Sequence, residues 1–285
     1  MRILRMAATA AILMGAAILP AQAQQAPRFE TTKVAENVYS FRFVGHRSMF
    51  VVTRAGVIVA DPINPAAAEA MLGEIRKITD KPIKYVLYSH EHLDHAGGGK
   101  VFKDVGAKIV AQANCQRVFS RHPHPNVAMP DVFYQNRYKI VLGGTEVRLN
   151  HFGPSHGNCQ TILELPKEKI VFVVDLASPR TLPFRGMFDS DIKGWISTLE
   201  ATEKLGATQM IPGHGPAIVP IAQLVEVREY LQDLMGAVKE AMTKTMNRDE
   251  IIKTVKLPKY EKWNMYEPWL GMNVERVITY YANGV

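Results

Sequence analysis

The densest group of chemically versatile side chains lies in the segment Ser89–His95, which reads Ser-His-Glu-His-Leu-Asp-His and directly follows the apolar run 83–88. On an extended segment His90 and His92 point to the same face, because strand side chains alternate with a period of two. The last two residues of the segment lie past the bend and can turn toward a second position. Imidazole nitrogens and carboxylate oxygens suit Zn²⁺ or a similar first-row metal. The segment therefore predicts a metal site.

Three further motifs carry candidate ligands later in the chain. Gly153-Pro154-Ser155-His156 is a turn before a strand-like run, and Val171-Phe172-Val173-Val174 is an apolar strand that runs into Asp175. Pro212-Gly213-His214-Gly215 is a second turn that ends in a histidine and a glycine. Each motif places one imidazole or carboxylate beside a predicted strand.

Together these four motifs, in this order, resemble the metallo-β-lactamase superfamily, whose signature is H-x-H-x-D-H after a strand. The resemblance extends from about Val38 to Pro216. It implies seven metal ligands in two groups: His90, His92 and His156 for the first metal, Asp94, His95 and His214 for the second, and Asp175 as the bridge between them.

The chemistry that the resemblance implies is that of a metal-dependent hydrolase with two Zn²⁺ ions per chain, iron or manganese being possible replacements. Two such metals can share a hydroxide, since metal binding lowers the pKa of water to near 7. The hydroxide would attack a carbonyl, phosphoryl or sulfuryl centre. Asp94 would be the catalytic residue that accepts a hydrogen bond from the hydroxide and orients it.

Three departures from the family pattern bear on the substrate and not on the ligands. Gly157 follows the third histidine ligand where the family usually has Thr, and Val174 precedes the bridging aspartate where it usually has Gly. The turn also contains Asn158-Cys159-Gln160. True metallo-β-lactamases generally lack the bridging aspartate, so Asp175 brings the ligand set closer to the glyoxalase, lactonase, phosphodiesterase and sulfatase branches.

The expected function is therefore hydrolysis of an ester, lactone, thioester or related bond of a small molecule by an exported enzyme. A β-lactamase-like hydrolase acting on β-lactams is an alternative. A second alternative is an iron-dependent oxygenase, or a non-catalytic accessory protein of periplasmic sulfur or alcohol oxidation, with the same fold. The substrate and the oligomeric state are left open by the sequence.

The remaining histidines predict weaker roles. His151 is read as a structural residue near the site, and His122 and His124, between prolines, as the rim of a pocket. His46, next to Gly45, could contact substrate, but a solvated turn is the default reading. Four aromatic residues at spacings of three favour core packing over a pocket wall: Tyr260, Trp263, Tyr266 and Trp269.

Alternating strands and helices position these residues. The patterns predict strands at 38–43, 50–53, 57–60, 83–88, 108–111, 139–142, 146–151, 161–165, 170–174 and 209–211, and helices at 65–79, 101–104, 114–120 and 191–205. An α/β protein is the simplest interpretation. By the resemblance it is a four-layer αβ/βα metallo-β-lactamase sandwich with a helical C-terminal extension. We expect this fold in residues 27–219 and an extension, packed on the same domain, in residues 220–285.

The N-terminus predicts export. Arg2 and Arg5 precede a short apolar run and the site Ala21-Gln22-Ala23, as in a signal peptide of residues 1–23. An uncleaved membrane anchor is the alternative, but the run is shorter than a spanning helix requires. A periplasmic or secreted protein without stable membrane insertion after cleavage is expected. Export would permit Cys115 and Cys159 to pair, although two cysteines alone leave the pairing open.

The composition is that of an ordinary globular protein. The chain has 285 residues, 47% of them hydrophobic and 21% charged, and a formal net charge of +7. Disorder, collagen-like repeats and a disulfide-stapled miniprotein are thereby excluded. No run of basic residues interleaved with aromatics stands out, so a small-molecule partner and no nucleic acid is expected.

Overall fold

Two β-sheets organise the computed structural model, which describes residues 28–245 and 247–284. The predicted signal peptide, residues 1–23, lies outside the described residues. Strands β1 to β7 form the first sheet in chain order and are Phe29–Lys33, Val38–Phe43, His46–Thr53, Gly56–Ala60, Ile83–Leu87, Lys108–Gln112 and Val132–Tyr134. The first four strands pair antiparallel, and β4 to β7 pair parallel.

The second sheet has six strands in the order β13-β12-β11-β10-β9-β8. From β8 to β13 these strands are Arg137–Leu142, Thr145–Asn150, Ile162–Leu165, Ile170–Val174, Gln209–Pro212 and Val219–Pro220. Only β11 and β12 pair parallel within this sheet. The carboxyl ends of these two strands therefore lie side by side.

Eight helices cover the outer faces of the sheets in the described residues. From α1 to α8 they are Pro65–Ile78, Leu93–Ala96, Gly99–Asp104, Asn114–Arg121, Ile192–Glu203, Ala222–Lys244, Arg248–Thr254 and Tyr266–Asn283. A 3-10 turn, Pro258–Tyr260, links α7 to α8. None of these helices is both long and apolar enough to cross a membrane.

Side-chain alternation along the buried strands builds the layers. On β4, Val57 and Val59 pack into the cluster that contains Met71 of α1, whereas Ile58 and Ala60 pack against the second sheet. A third cluster covers the outer face of the second sheet and contains residues of α5 to α8. The order helix, sheet, sheet, helix confirms the predicted αβ/βα sandwich with C-terminal helices.

The predicted elements match the structure apart from three short strands, the four-residue helix α2 and the ends of several elements, among which β3 begins four residues before its predicted start. Strands β1, β7 and β13 were not predicted. β1 is the polar segment Phe-Glu-Thr-Thr-Lys at the edge of its sheet, and β7 and β13 have only three and two residues, so none shows a hydrophobic period. The division into residues 27–219 and 220–285 stays a prediction, although α6 begins at Ala222, two residues past the predicted boundary.

Candidate metal centre

The histidine-rich segment lies where β5 leaves the first sheet. The chain bends from Ser89 to Glu91, and from His92, whose backbone is extended, it enters α2, which carries Asp94 and His95. The rings of His90 and His92 lie 4.5 Å apart between centroids, so both imidazoles face the same site although the segment predicted as extended is bent. His90 and His95 are fully buried. Local sequence thus determines how this half of the site is arranged.

The remaining candidate ligands come from the second sheet. His156 lies in the loop between β9 and β10, Asp175 directly follows β11, and His214 is the second residue after β12. Because β11 and β12 are parallel, their carboxyl ends bring Asp175 and His214 together, with Nε2 of His214 3.2 Å from Oδ1 of Asp175. A Cβ atom on Gly213 would lie 2.3 Å from the same oxygen, so only glycine fits there.

The structure brings all seven predicted ligands into two groups that share Asp175. The first group is His90, His92, His156 and Asp175, and the second is Asp94, His95, Asp175 and His214. Within each group the donor atoms lie within 4.8 Å of one another. This grouping is the one that the sequence predicts, while the binding of metal by these residues stays a prediction.

Buried atoms without partners fit a metal ion. Nδ1 of His90 lies 2.8 Å from the Ser89 hydroxyl, whereas its buried Nε2 has no hydrogen-bond partner among the described residues. A buried imidazole nitrogen without a partner costs free energy unless something binds it. A set of five histidines and two aspartates offers the nitrogen and oxygen donors that Zn²⁺ takes. The residues present therefore fit a divalent metal.

The pKa values of the candidate ligands are shifted in both directions. Burial, reinforced by the neighbouring histidines, holds the pKa of His90 well below its usual value, and burial lowers the pKa of His156 to about 4. Burial opposes ionisation of Asp175, but His95, His214 and His156 together hold its pKa well below the usual range. Burial opposes protonation of His92, His95 and His214 too, but neighbouring carboxylates raise the pKa of each of them above its usual value. Because a metal binds neutral imidazoles and an ionised carboxylate, metal binding here would release protons from these three histidines.

Two aspartates that sequence reasoning missed support the ligands. Asp61, directly after β4, accepts hydrogen bonds from the backbone N–H and the hydroxyl of Ser89 at 2.8 and 2.6 Å, and lies 3.3 Å from Nδ1 of His95. Asp189 lies 2.6 Å from Nε2 of His92. Contacts of this kind fix the orientation of a ligand imidazole. An aspartate that ends an apolar strand was a usable signal for Asp61, but nothing local points to Asp189.

The solvated-turn reading of His46 was wrong. His46 begins β3 and is half-buried, with Nε2 3.2 Å from Oδ2 of Asp94 and its ring 4.8 Å from that of His214. The tight β2–β3 turn folds over the site, where the carbonyl of Gly45 accepts a hydrogen bond from Nδ1 of His214 at 2.8 Å. The residues in these two contacts are 48 and 169 positions apart in the sequence, so the local sequence of the turn could not predict them.

The other residues that the sequence analysis singled out lie outside the two ligand groups. His151 belongs to neither ligand group and has Nδ1 2.8 Å from the carbonyl of Gln160. His122 lines a separate cleft, and His124 accepts a backbone hydrogen bond from Asn126. Of the aromatic stripe, Tyr260 and Tyr266 are buried and Trp263 packs against the core, whereas Trp269 packs against the core and also lines the metal cleft.

Glu91 explains one departure from the family pattern. Its buried carboxylate accepts hydrogen bonds from the backbone N–H groups of Asn158 and Cys159 at 2.7 and 3.2 Å. A Cβ atom on Gly157 would come within 2.9 Å of this carboxylate, so glycine allows the close approach. The loop that carries His156 is thereby tied to the histidine-rich segment.

The same loop is held by a disulfide between Cys115 on α4 and Cys159, with their Cα atoms 5.3 Å apart. The sequence left this pairing open, and the structure forms it. The bond joins positions 44 residues apart, and closing a loop of this length stabilises a protein by about 4 kcal/mol in the chain-entropy model.

We therefore expect the Cys115→Ala/Cys159→Ala variant to unfold at a clearly lower temperature than the oxidised protein. Calorimetry with and without reductant measures the difference. Reductant should lower the unfolding temperature of the wild type and leave the variant unaffected. An intact mass that shows two free thiols in the unreduced protein would contradict the bond.

The two ligand groups lie at the base of a cleft of about 1000 Å³. The segment from Pro183 to Ser190 forms one wall: Phe184 and Phe188 are exposed at the cleft, and the Ser190 hydroxyl donates to the carbonyl of His156 at 3.0 Å. The other apolar lining residues include Leu93, Leu182, Met187, Trp195 and Trp269. The cleft thus offers a hydrophobic path to the candidate metal centre.

Comparison with known proteins places this geometry in a family. The family model described as the metallo-beta-lactamase superfamily matches residues 42–214. A linear primary-alkylsulfatase of Pseudomonas sp. (strain ATCC 19151) is 24% identical over 257 residues, which span 71% of this chain and 48% of the alkylsulfatase.

Solved structures show the same fold. The sec-alkylsulfatase Pisa1 from Pseudomonas sp. superposes with a TM-score of 0.77 at 19% identity, over 88% of this chain and 50% of that one. A metallo-beta-lactamase from Pontibacter korlensis superposes with a TM-score of 0.64 at 21% identity, over 72% and 99% respectively. The chain spans about half the length of the alkylsulfatases it matches. With a family match over most of its length, this chain belongs to the metallo-beta-lactamase superfamily.

Proposed function

We propose that this protein is an exported two-zinc hydrolase of small molecules with an ester, lactone or thioester bond. The observation that carries the proposal is the pair of ligand groups that share Asp175 at the base of an apolar cleft. His90, His92 and His156 would hold one ion, and Asp94, His95 and His214 the other. Zinc suits these ligands best, with iron or manganese as the other candidates.

When bound, two divalent metals at such a site supply an activated water and polarise the bond that is cleaved. Asp94 is placed to orient the attacking water. Its side chain is half-exposed at the cleft. Partial burial raises the pKa of this carboxyl, but the hydrogen bond from His46 and the charge of His95 outweigh that effect and lower the pKa to about 2. The carboxylate is therefore ionised at neutral pH and can only accept hydrogen bonds.

The lining of the cleft supports acyl substrates with an apolar body. Leu182, Phe184 and Phe188 offer a surface that stabilises alkyl or aryl groups by removing them from water. None of the lining residues in the described chain is Lys or Arg. A neutral ester, lactone or thioester group can reach the candidate metals without meeting a fixed positive charge.

Hydrolysis of an alkyl sulfate ester is the second candidate. The alkylsulfatase relatives favour this candidate. The match to Pisa1 covers 88% of this chain, which is more than residues 28–219 alone, so it includes part of the C-terminal helices. The same apolar cleft suits an alkyl chain. Without Lys or Arg in the cleft, the candidate metals would be the main source of positive charge for the sulfate, which would also face the acidic lining residues.

A substrate panel separates these candidates. The zinc-loaded protein would be assayed with para-nitrophenyl butyrate, a γ-lactone, an acyl thioester, para-nitrophenyl sulfate and dodecyl sulfate, with the His156→Ala variant as the blank. Cleavage of the acyl substrates by the wild type alone supports the proposal. Cleavage of the sulfates alone would favour the second candidate, and no turnover of any substrate would contradict both.

We expect weak β-lactam hydrolysis at best. Asp175 adds a negative charge between the two ligand groups, which should weaken the second metal as a docking point for the lactam carboxylate. We therefore expect the kcat/KM for nitrocefin to stay below about 10⁵ M⁻¹s⁻¹. A value above this threshold would be typical of an enzyme dedicated to this substrate. A higher value in a spectrophotometric assay, or a lactam preferred to every acyl substrate, would overturn this ordering.

A further inference from the structure

A second cleft opens beside the metal cleft. It has a volume of about 810 Å³ and runs along α4. We call it the arginine cleft, and it is lined by Ala113, Asn114, Gln116, Arg117, Val118, Ser120, Arg121, His122 and Asn158. Val118 and Asn158 also line the metal cleft, so the two cavities meet at these residues. A ligand that passes these two residues would reach both clefts.

The charge of the arginine cleft is positive and uncompensated. Arg117 and Arg121 lie one helical turn apart, which places them on the same face of α4. Within the described residues neither guanidinium has a hydrogen bond or an ion pair, and no acidic residue lines this cleft. Two adjacent positive charges without partners favour an anion between them.

The metal cleft has the opposite character. Its lining includes the carboxylates of Glu91, Asp94, Asp175 and Asp189 and no basic residue other than histidine. The junction between the clefts is fixed, because the side chain of Asn114 donates to the carbonyl of Asn158 at 3.0 Å and the Asn158 N–H donates to Glu91. The arginine cleft thus offers positive partners to an anionic group that lies some distance from the cleaved bond.

We propose that the arginine cleft binds an anionic end, a carboxylate or a phosphate, of the substrate whose acyl bond lies at the metal centre. This inference rests on the proposed function and narrows the substrate to a bipolar molecule, with an apolar acyl part and a remote oxyanion. Guanidinium groups suit this role, because their planar N–H pairs match the two oxygens of a carboxylate or phosphate.

The test compares two substrates that differ only in charge. They are the mono-para-nitrophenyl ester of glutaric acid and its methyl ester, which is neutral. We expect the Arg117→Gln/Arg121→Gln variant to raise KM for the charged ester by about tenfold, with kcat for both esters and KM for the neutral one unchanged. The Lys253→Gln/Lys256→Gln variant loses the same charge at the exposed end of α7 and should behave as the wild type.

Binding measurements keep this test independent of the proposed function. Calorimetric titration of the zinc-loaded full chain with glutarate and with phenyl phosphate should show weaker binding of one or both anions to the arginine variant than to the wild type and the lysine control. The anion that is more affected identifies the source of the charge. If neither ester is hydrolysed, the proposed function fails, and calorimetry alone then decides whether the arginine cleft binds an anion. Equal binding by all three proteins, or equal changes in KM for the charged and neutral esters, would overturn the inference.

Discussion

Replacing His156 by alanine is expected to lower kcat/KM for the preferred acyl substrate by at least about a hundredfold. Losing only a residue that orients a metal ligand costs ten- to a hundredfold, and a direct ligand should cost more. Nε2 of His156 lies 3.3 Å from Nδ1 of His92 and 3.6 Å from Oδ2 of Asp175, so it belongs to the first ligand group. Metal content and steady-state rates on the same preparation check the result.

Two control variants make this prediction specific. His156→Gln keeps most of the side-chain volume that packs against Trp195, whose ring lies 5.1 Å away, so it separates loss of a ligand from loss of packing. His151→Ala removes a nearby histidine outside both ligand groups and should keep the metal content of the wild type. Loss of metal in His151→Ala with retention in His156→Ala would mean that the ligand is wrongly assigned.

Removing the metals with a chelator is expected to lower the unfolding temperature by roughly 10 °C. A ligand that binds only the folded state stabilises it by about 4 kcal/mol at a free concentration a thousand times its dissociation constant. A domain of this size shifts by about 2–4 °C for each kcal/mol. The buried donors, among them Nε2 of His90, would then have no partner.

Differential scanning calorimetry before and after dialysis against the chelator measures this shift. Adding back Zn²⁺ should restore the original unfolding temperature, whereas Mg²⁺, which prefers oxygen ligands, should not. An unchanged unfolding temperature in the chelated protein would contradict a metal centre built from these buried residues.

The resemblance to the superfamily predicted the ligand groups, because each ligand lies in a short motif that follows or precedes a strand. His90, His92 and His95 share one segment, and Asp175 and His214 each follow an apolar strand whose partner strand is parallel. Such local patterns determine where a side chain leaves the sheet, and the sandwich brings those ends together. The buried strands and the long helices were predictable for the same reason.

The contacts around the ligands were not predictable, since they join distant parts of the chain. Asp189 reaches His92 across 97 residues, and the turn before His46 is held through Gly45 by His214 across 169. No spacing or period in the sequence encodes those distances. The Cys115–Cys159 bond is a similar case: two cysteines are compatible with pairing, but only the packing of α4 against the His156 loop brings them together.

Metal analysis of the protein purified from medium without added metal tests the central proposal most directly. Plasma mass spectrometry is expected to find about two zinc ions per chain, as for a site with two metals and one shared carboxylate. His90→Ala and His214→Ala, one from each ligand group, should each lose metal. A single iron per chain, or no metal in a folded protein, would contradict a two-zinc hydrolase.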